Sequence, residues 1–386
     1  MSGRAGLAGF LLAAAGMFAT MYSTQAILPE LSREFDVGAA EAGLTVSVVV
    51  LCVALGGWVW GPVSDRIGRI RTMRLASLLL VPPTIGVALA PTFGLLLVCR
   101  GGQGLCMPGL LVVGAPYVVE VLIPRVGARA MGWYAAALVA GGLIGRVGVA
   151  LASAVVGWRV AIGVLAVLPV AAALAMSGLS GDSARPKRSG STARGLLNPR
   201  LFAVAVAGAA LFFTFVGTFT YVPYRLEEPP FSLSTHAASL VFLLWVVGLA
   251  SPVAGRAAER FGWWRLTLAA SGAGALGLVV TLPERLPLTV AGLALVATAM
   301  FAGYTATQLG VGDATQVDRG AATALYFSVY YGAGALGAYL PGLAWEAWGW
   351  AGVAVCGLGA LGVATLALAA ANAEWLDMGE QRRRRT

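Results

Sequence analysis

Two arginines inside long apolar stretches are the residues of this chain most suited to chemistry. Arg100 occurs in VCRGGQG and Arg146 in GLIGRVG, and neither apolar stretch holds another charged residue. An arginine near the centre of a membrane-spanning helix costs roughly 2.5–3.5 kcal/mol on insertion scales and is usually paired or functional. Gln103 shares a helical face with Arg100, and Tyr22 and Gln25 share a face of the first stretch. We expect a polar cluster that binds substrate.

Three roles are open to the two guanidinium groups. They could donate to backbone carbonyls and hold the first, fourth and fifth apolar helices together. They could pair with an acid at the membrane rim such as Glu30. They could also bind a negatively charged group of a substrate.

The acidic residues are placed differently from the arginines. All 17 Asp and Glu residues fall in expected loops, tails or helix ends, and none near the membrane midplane. Acids within the membrane are common proton carriers in transporters. The proton-coupling candidates are therefore rim acids, namely Glu30 and Glu34 on one side and Asp313 on the other. His236, the single histidine, is interpreted as a solvated rim residue.

The composition is that of a protein embedded in lipid. The chain is 59% hydrophobic and 11% charged, whereas soluble domains carry about 25% charged residues. A span needs roughly 20 apolar residues, and backbone groups in lipid must be satisfied within helices. The sequence thus predicts an all-α membrane protein. We expect twelve spans, approximately at 5–28, 42–60, 73–90, 94–118, 131–153, 160–178, 201–222, 237–254, 265–282, 288–310, 321–341 and 350–372.

The sequence contains no recognisable motif for enzymatic catalysis or metal binding. The chain has neither a phosphate-binding loop nor paired catalytic carboxylates. Its four cysteines lie in apolar helices without ligand spacing and are interpreted as packing residues. We therefore expect no enzyme activity, no cofactor and no metal.

The basic residues predict an orientation. With the N-terminus inside, 20 of the 26 Lys and Arg residues fall in cytoplasmic links and tails and four in outer loops. Such an excess marks the cytoplasmic side, so both termini are expected there. The net charge of +9 then reflects topology and lipid contact rather than nucleic-acid binding.

The chain contains two related halves. GPVSDRIGRIR at 61–71 returns as GRAAERFGWWR at 255–265, offset by 194 positions, and a second echo is offset by 192. Internal repeats of this kind are common in transporters. The polar stretch 179–200 is predicted to be a cytoplasmic linker between a bundle at 1–178 and a bundle at 201–386.

These motifs resemble the major facilitator superfamily over essentially the whole chain. GPVSDRIGRIR resembles the family's signature between helices two and three. RGGQG at 100–104 resembles the fourth-helix signature of the drug/proton antiporter branch, and YVVEVLIPRVGAR at 117–129 resembles the link between helices four and five. The two ends look like the arabinose-efflux-permease-like subgroup. One departure is Arg146, which stands where the antiporter branch has Pro.

The resemblance implies two pseudo-symmetric six-helix bundles that rock around a central site lined by helices one, four, seven and ten. It also implies a cytoplasmic gate in which Asp65 and Arg69 hold the outward-open state. The gate residues it implies are Gly61, Asp65, Arg66, Gly68, Arg69, Arg71, Glu120, Glu259 and Arg260. In the second half, Tyr304 and Gln308 share one face and Tyr326 and Tyr330 another, and Tyr221 and Trp245 are further candidates. Amphipathic rings of this kind suit an amphiphilic substrate.

The leading functional expectation is proton-linked export of a small amphiphilic compound, drug or sugar-like. The alternative is transport of an organic anion bound by Arg100 and Arg146. A transporter-derived receptor or sensor is a third possibility from another class. In each case we expect a multi-pass, monomeric protein of the bacterial inner membrane with a small-molecule ligand and no nucleic-acid partner.

Overall fold

The structure is a computed structural model that describes residues 2–127, 129–178, 198–314 and 319–383. Within these residues, eleven helical spans are long and apolar enough to cross a membrane. The all-α membrane fold predicted from composition is confirmed. The spans, labelled α1 to α10 and then a last double span, are Gly6–Phe35, Ala39–Ile67, Arg69–Leu89, Phe93–Leu122, Arg129–Val156, Trp158–Ala175, Pro199–Glu227, Thr235–Phe261, Trp263–Val280, Leu286–Ala314 and Ala321–Ala371.

The last span consists of two helices. It lies within the helical stretch Arg319–Arg383, which has a non-helical break at Gly349 with φ 57° and ψ −144°. We label the part before this residue α11 and the part after it α12. The twelve apolar runs therefore correspond to α1–α12 in order. Most of the expected linker, residues 179–197, lies outside the described residues.

The sequence repeat is visible in the backbone of the helix links. Gly68 and Gly262, which are equivalent in the repeat, end α2 and α8 with φ 92° and 89°. A residue with a Cβ rarely adopts this conformation, so glycine allows the next helix to start at once. Gly157 and Gly349, the equivalent pair of the second echo, also have positive φ.

The chain divides into two compact units. The first contains α1–α6 together with residues 219–249, which are the end of α7 and the first part of α8. The second contains the start of α7 and everything described from residue 250 onward. The bundle boundaries expected from the repeat, 1–178 and 201–386, stay a prediction.

Several helices depart from regular α geometry, and three of these departures lie near one another. The first α-helix of α1 ends at Met21, a short 3₁₀ turn follows at Gln25–Ile27, and the α-helix resumes at Leu28–Phe35. A π-helical turn interrupts α5 at Ile144–Gly148. A 3₁₀ stretch occupies Leu240–Ala250 of α8. Irregular turns inside helices often mark functional positions, and these three contribute to the same site.

Candidate functional site

Arg146 lies in the π-helical turn of α5 and is completely buried. Its Nε donates to Gln25 Oε1 at 2.7 Å, and its Nη1 donates to the Gly142 carbonyl at 2.9 Å. Its Nη2 has no hydrogen-bond acceptor. The charged guanidinium is thus buried, and one of its nitrogens has no hydrogen-bond acceptor.

Aromatic rings supply the rest of its surroundings. The Cζ atom of Arg146 lies 3.7 Å from the ring centroid of Tyr22, 3.4 Å from that of Trp245 and 5.3 Å from that of Phe242. The Tyr22 and Trp245 rings stand at 72° to each other, so they form two walls of a box rather than parallel plates. We call Tyr22, Phe242 and Trp245 the aromatic cage. Cation–π attraction of this kind is strongest over Trp and increases on desolvation.

Local backbone geometry places these rings. Tyr22 comes directly after the end of the first α-helix of α1. Phe242 and Trp245 lie in the 3₁₀ stretch of α8, where residues three apart share a face. The sequence indicated Tyr22 and suggested Trp245 as a further candidate, but it missed Phe242. The spacing of Phe242 and Trp245 was the available signal, and it is weak in a helix rich in apolar residues.

Gln25 fixes the orientation of the site. Its oxygen accepts from Arg146, and its Nε2 donates to Thr220 Oγ1 at 3.0 Å. Both hydrogen bonds are therefore satisfied by the same orientation of the Gln25 amide. Gln25 joins α1, α5 and the end of α7 within the first unit.

Arg100 is also completely buried, but its surroundings are different. Its guanidinium donates to the carbonyls of Thr20, Met21 and Thr45 at 2.8, 2.6 and 2.8 Å. It also donates to Gln103 Oε1 at 2.7 Å. The carbonyls of Thr20 and Met21 belong to the last turn before α1 breaks, where carbonyl groups carry partial negative charge. The Thr20 carbonyl also accepts from the backbone N–H and the hydroxyl of Ser23. Arg100 caps this helix end and ties α1, α2 and α4 together.

The rim acids are engaged elsewhere. Among the described residues, no carboxylate forms an ion pair with Arg100 or Arg146. Glu30 accepts a hydrogen bond from Ser153 at 2.8 Å. Glu34 pairs with Arg159 at 2.7 Å and accepts from Trp158. In the second unit, Asp313 accepts from Trp263 Nε1 at 3.1 Å.

A cavity of about 420 Å³ lies on the same face of α5 as Arg146. Ala150 and Ser153, which follow Arg146 at i+4 and i+7, line it. Glu30 and His236 also line it.

The second unit contributes an aromatic cluster. Tyr330 stacks on Phe212 with centroids 4.1 Å apart. Tyr304 and Tyr326 each lie 5.6 Å from Tyr330, and the Tyr326 hydroxyl bonds to Thr307 at 2.8 Å. Gln308 is half-buried one helical turn from Tyr304.

Among the implied gate residues, Arg69 and Glu120 form an ion pair. Arg69 donates from Nε and Nη2 to both oxygens of Glu120, at 2.9 and 2.7 Å. Glu120 lies in a second π-helical turn, Val118–Leu122. The other charged candidates are exposed, namely Asp65, Arg66, Arg71, Glu259 and Arg260. The glycines Gly61 and Gly68 lie at the end of α2.

Comparison with known proteins decides the family. The model of the Major Facilitator Superfamily matches residues 10–338. The chain belongs to the major facilitator superfamily. It is a multi-pass membrane protein of a transporter family and not an enzyme.

Two relatives align with most of the chain. The inner membrane transport protein YnfM of Escherichia coli is 32% identical over 87% of this chain and 83% of its own length. The uncharacterized MFS-type transporter YybF of Bacillus subtilis is 28% identical over 89% and 87%.

Solved structures support the major facilitator fold. A bacterial homologue of the human lysosomal transporter Spinster, in an inward-facing and occupied conformation, matches with TM-score 0.75 and 16% identity over 94% of both chains. A mutant form of the nucleoside transporter NupG matches with TM-score 0.76 and 14% identity over 95% of this chain and 99% of that one.

Proposed function

We propose that this major facilitator protein is a secondary active transporter of a small organic anion, which binds at Arg146. The observation that carries the proposal is the buried guanidinium whose Nη2 lacks an acceptor. No described carboxylate neutralises it. Buried charges in proteins are normally paired, so an anionic ligand is the missing partner that the chemistry favours.

Arg100 is not the binding residue in this proposal. Its hydrogen bonds to three carbonyls and to Gln103 occupy all three of its nitrogens. An anion at Arg100 would have to share the guanidinium with these carbonyl oxygens. At Arg146, Nη2 is the nitrogen without an acceptor, so an anion that reached it would not compete with Gln25 or Gly142.

We also propose cytoplasmic termini, an inner-membrane location and coupling to protons. The excess of basic residues on one side supports cytoplasmic termini. The Escherichia coli relative is named as an inner membrane transport protein, which supports an inner-membrane location here. Glu30, which lines the cavity on the Arg146 face of α5, is the rim acid best placed to carry a coupled proton.

The test uses proteoliposomes that hold a pH gradient, with a dye reporting its collapse. The panel contains carboxylates, sulfonates, lipophilic cations and neutral sugars. Sulfonates are included because they do not cross a bilayer as neutral acids. We expect collapse by anions in the wild type and a rate lower by about tenfold or more in Arg146→Ala, because a charge-assisted hydrogen bond is lost.

The matched control is Arg285→Ala, which removes an exposed arginine of the α9–α10 link. This variant should transport like the wild type. Folded Arg146→Ala protein that moves anions at the wild-type rate would contradict the proposal.

A second candidate function is favoured by the aromatic cluster of the second unit. Stacked tyrosines suit an amphiphilic compound that carries no anionic group. Proton-linked export of such a compound would appear in the same panel as collapse by cations or sugars that does not depend on Arg146. Saturable binding without flux would instead indicate a receptor or sensor.

A further inference from the structure

The guanidinium of Arg146 is bound the way proteins bind organic cations. Aromatic cages are the usual recognition device for ammonium-type ligands. Here three rings lie within 5.3 Å of the Cζ atom of Arg146. The cation inside the cage is a side chain of the same protein.

We propose that Tyr22, Phe242 and Trp245 form an organic-cation site that Arg146 occupies as a built-in ligand. In wild-type protein the resident charge keeps organic cations out and leaves Nη2 for an anion. Arg146 is therefore the determinant of charge selectivity. The part concerning anions rests on the proposed function, whereas the cage rests on geometry alone.

The polar groups around the guanidinium complete a cation site. Gln25 Oε1 and the Gly142 carbonyl both accept hydrogen bonds from Arg146. The bond from Gln25 to Thr220 holds the amide oxygen toward the site. The Gly142 carbonyl belongs to the helical turn preceding Arg146. Both acceptors would remain if the Arg146 side chain were shortened, so the emptied site would present rings and oriented oxygens to a small cation.

Charge balance supports the same assignment. Ion pairs formed with carboxylates are absent at Arg146 in the part of the chain that the structure describes. Its charge is held by neutral dipoles and ring faces, which would serve a free guanidinium equally well. Arg100 offers a contrast, because the described partners of its guanidinium are carbonyls, an amide and a hydroxyl rather than rings.

The test is chemical replacement of the missing side chain. Purified full-length Arg146→Ala protein in detergent is titrated with radiolabelled guanidinium, and competition by tetramethylammonium is measured. We expect saturable binding with an apparent affinity at least about tenfold tighter than any in the wild type. Adding Trp245→Ala to the variant should abolish the gain, and Arg285→Ala should show none.

Arg146→Gln serves as a second variant, because it is neutral and shorter but can still donate to the Gly142 carbonyl. Folding is checked by gel filtration and by the thermal unfolding midpoint. If neither variant that elutes as a single species gains guanidinium binding, the proposal is overturned. A gain that survives Trp245→Ala overturns it too, since the site would then lie elsewhere.

The two proposals fail in different ways. Anion transport by wild-type protein without a gain of guanidinium binding refutes the cage and leaves the proposed function standing. Guanidinium binding by Arg146→Ala without anion transport by the wild type refutes the proposed function and leaves the cage.

Discussion

Arg100 and Arg146 show that two buried arginines can do different work. Both are 0% exposed, and both stand alone in apolar stretches. Arg100 donates to backbone carbonyls of α1 and α2, whereas Arg146 lies against ring faces and has one nitrogen without an acceptor. The difference comes from what other segments bring to each residue.

The role of Arg100 predicts a large loss of stability on truncation. Arg100→Ala leaves the carbonyl of Met21 and the amide oxygen of Gln103 without their guanidinium donor. Each unsatisfied buried group costs about 1–3 kcal/mol, so the thermal unfolding midpoint in detergent should fall markedly. Arg285→Ala should leave the midpoint unchanged. Equal midpoints for the two variants would show that Arg100 does not cap α1.

The sequence identified both arginines as unusual, together with Tyr22, Gln25 and Gln103. It left open backbone bonding, rim-acid pairing and substrate binding. Only the folded chain separates them, because Thr45 lies 55 residues and Thr20 lies 80 residues from Arg100.

At the scale of elements, the site depends on a very close contact between α1 and α5. A Cβ atom built on Gly141 or Gly145 would collide with the carbonyl oxygens of Ala15 and Ala19. Small residues allow helices to approach this closely in membranes. The contact brings the π-helical turn of α5 against the broken part of α1, where Arg146 meets Tyr22 and Gln25.

This contact predicts a sharp difference between neighbouring glycines. Gly145→Ala must push α5 away from α1, because the obstacle is backbone that cannot rotate aside. Gly148→Ala should be tolerated, since its Cβ would meet only Ile144 Cγ2 at 3.7 Å. The fraction of protein eluting as a single species after solubilisation measures the effect. Equal fractions for both variants would mean that α1 and α5 are packed less tightly than the structure indicates.

The irregular turns were beyond sequence reasoning. Small residues four apart, as Gly141 and Gly145 are in GGLIGRVG, are typical of a close helix-packing face. The π-helical turn and the 3₁₀ stretch of α8 have no comparable signature. They arise where side chains and neighbouring helices compete with the regular hydrogen-bond pattern.

At the scale of the whole molecule, polar contacts in the first unit join residues separated by nearly the offset of the sequence repeat. Gln25 bonds to Thr220, Ser32 to Tyr224 at 2.6 Å, and Arg33 to Glu227 at 2.9 Å. The separations are 195, 192 and 194 residues. These contacts hold the end of α7 against α1 within the first unit.

Orientation gives a prediction for the intact protein. We expect a cysteine introduced at Arg285, in the α9–α10 link, to react with an impermeant maleimide in intact cells. A cysteine at Arg66, at the end of α2, should react only after permeabilisation. Both cysteines are introduced into a variant in which the four native cysteines have been replaced. The reverse pattern would place the termini outside and contradict the proposed topology.

The sequence by itself determined the membrane class, the helical fold, the repeat and the positions of the intramembrane charges. These follow from hydropathy, helical spacing and the cost of charge in lipid, which are local properties of the chain. Only the tertiary structure decided that Arg100 caps a broken helix while Arg146 sits in an aromatic cage. Hydrogen bonds and ring contacts depend on which distant segments meet, and that choice is made by packing across the whole unit.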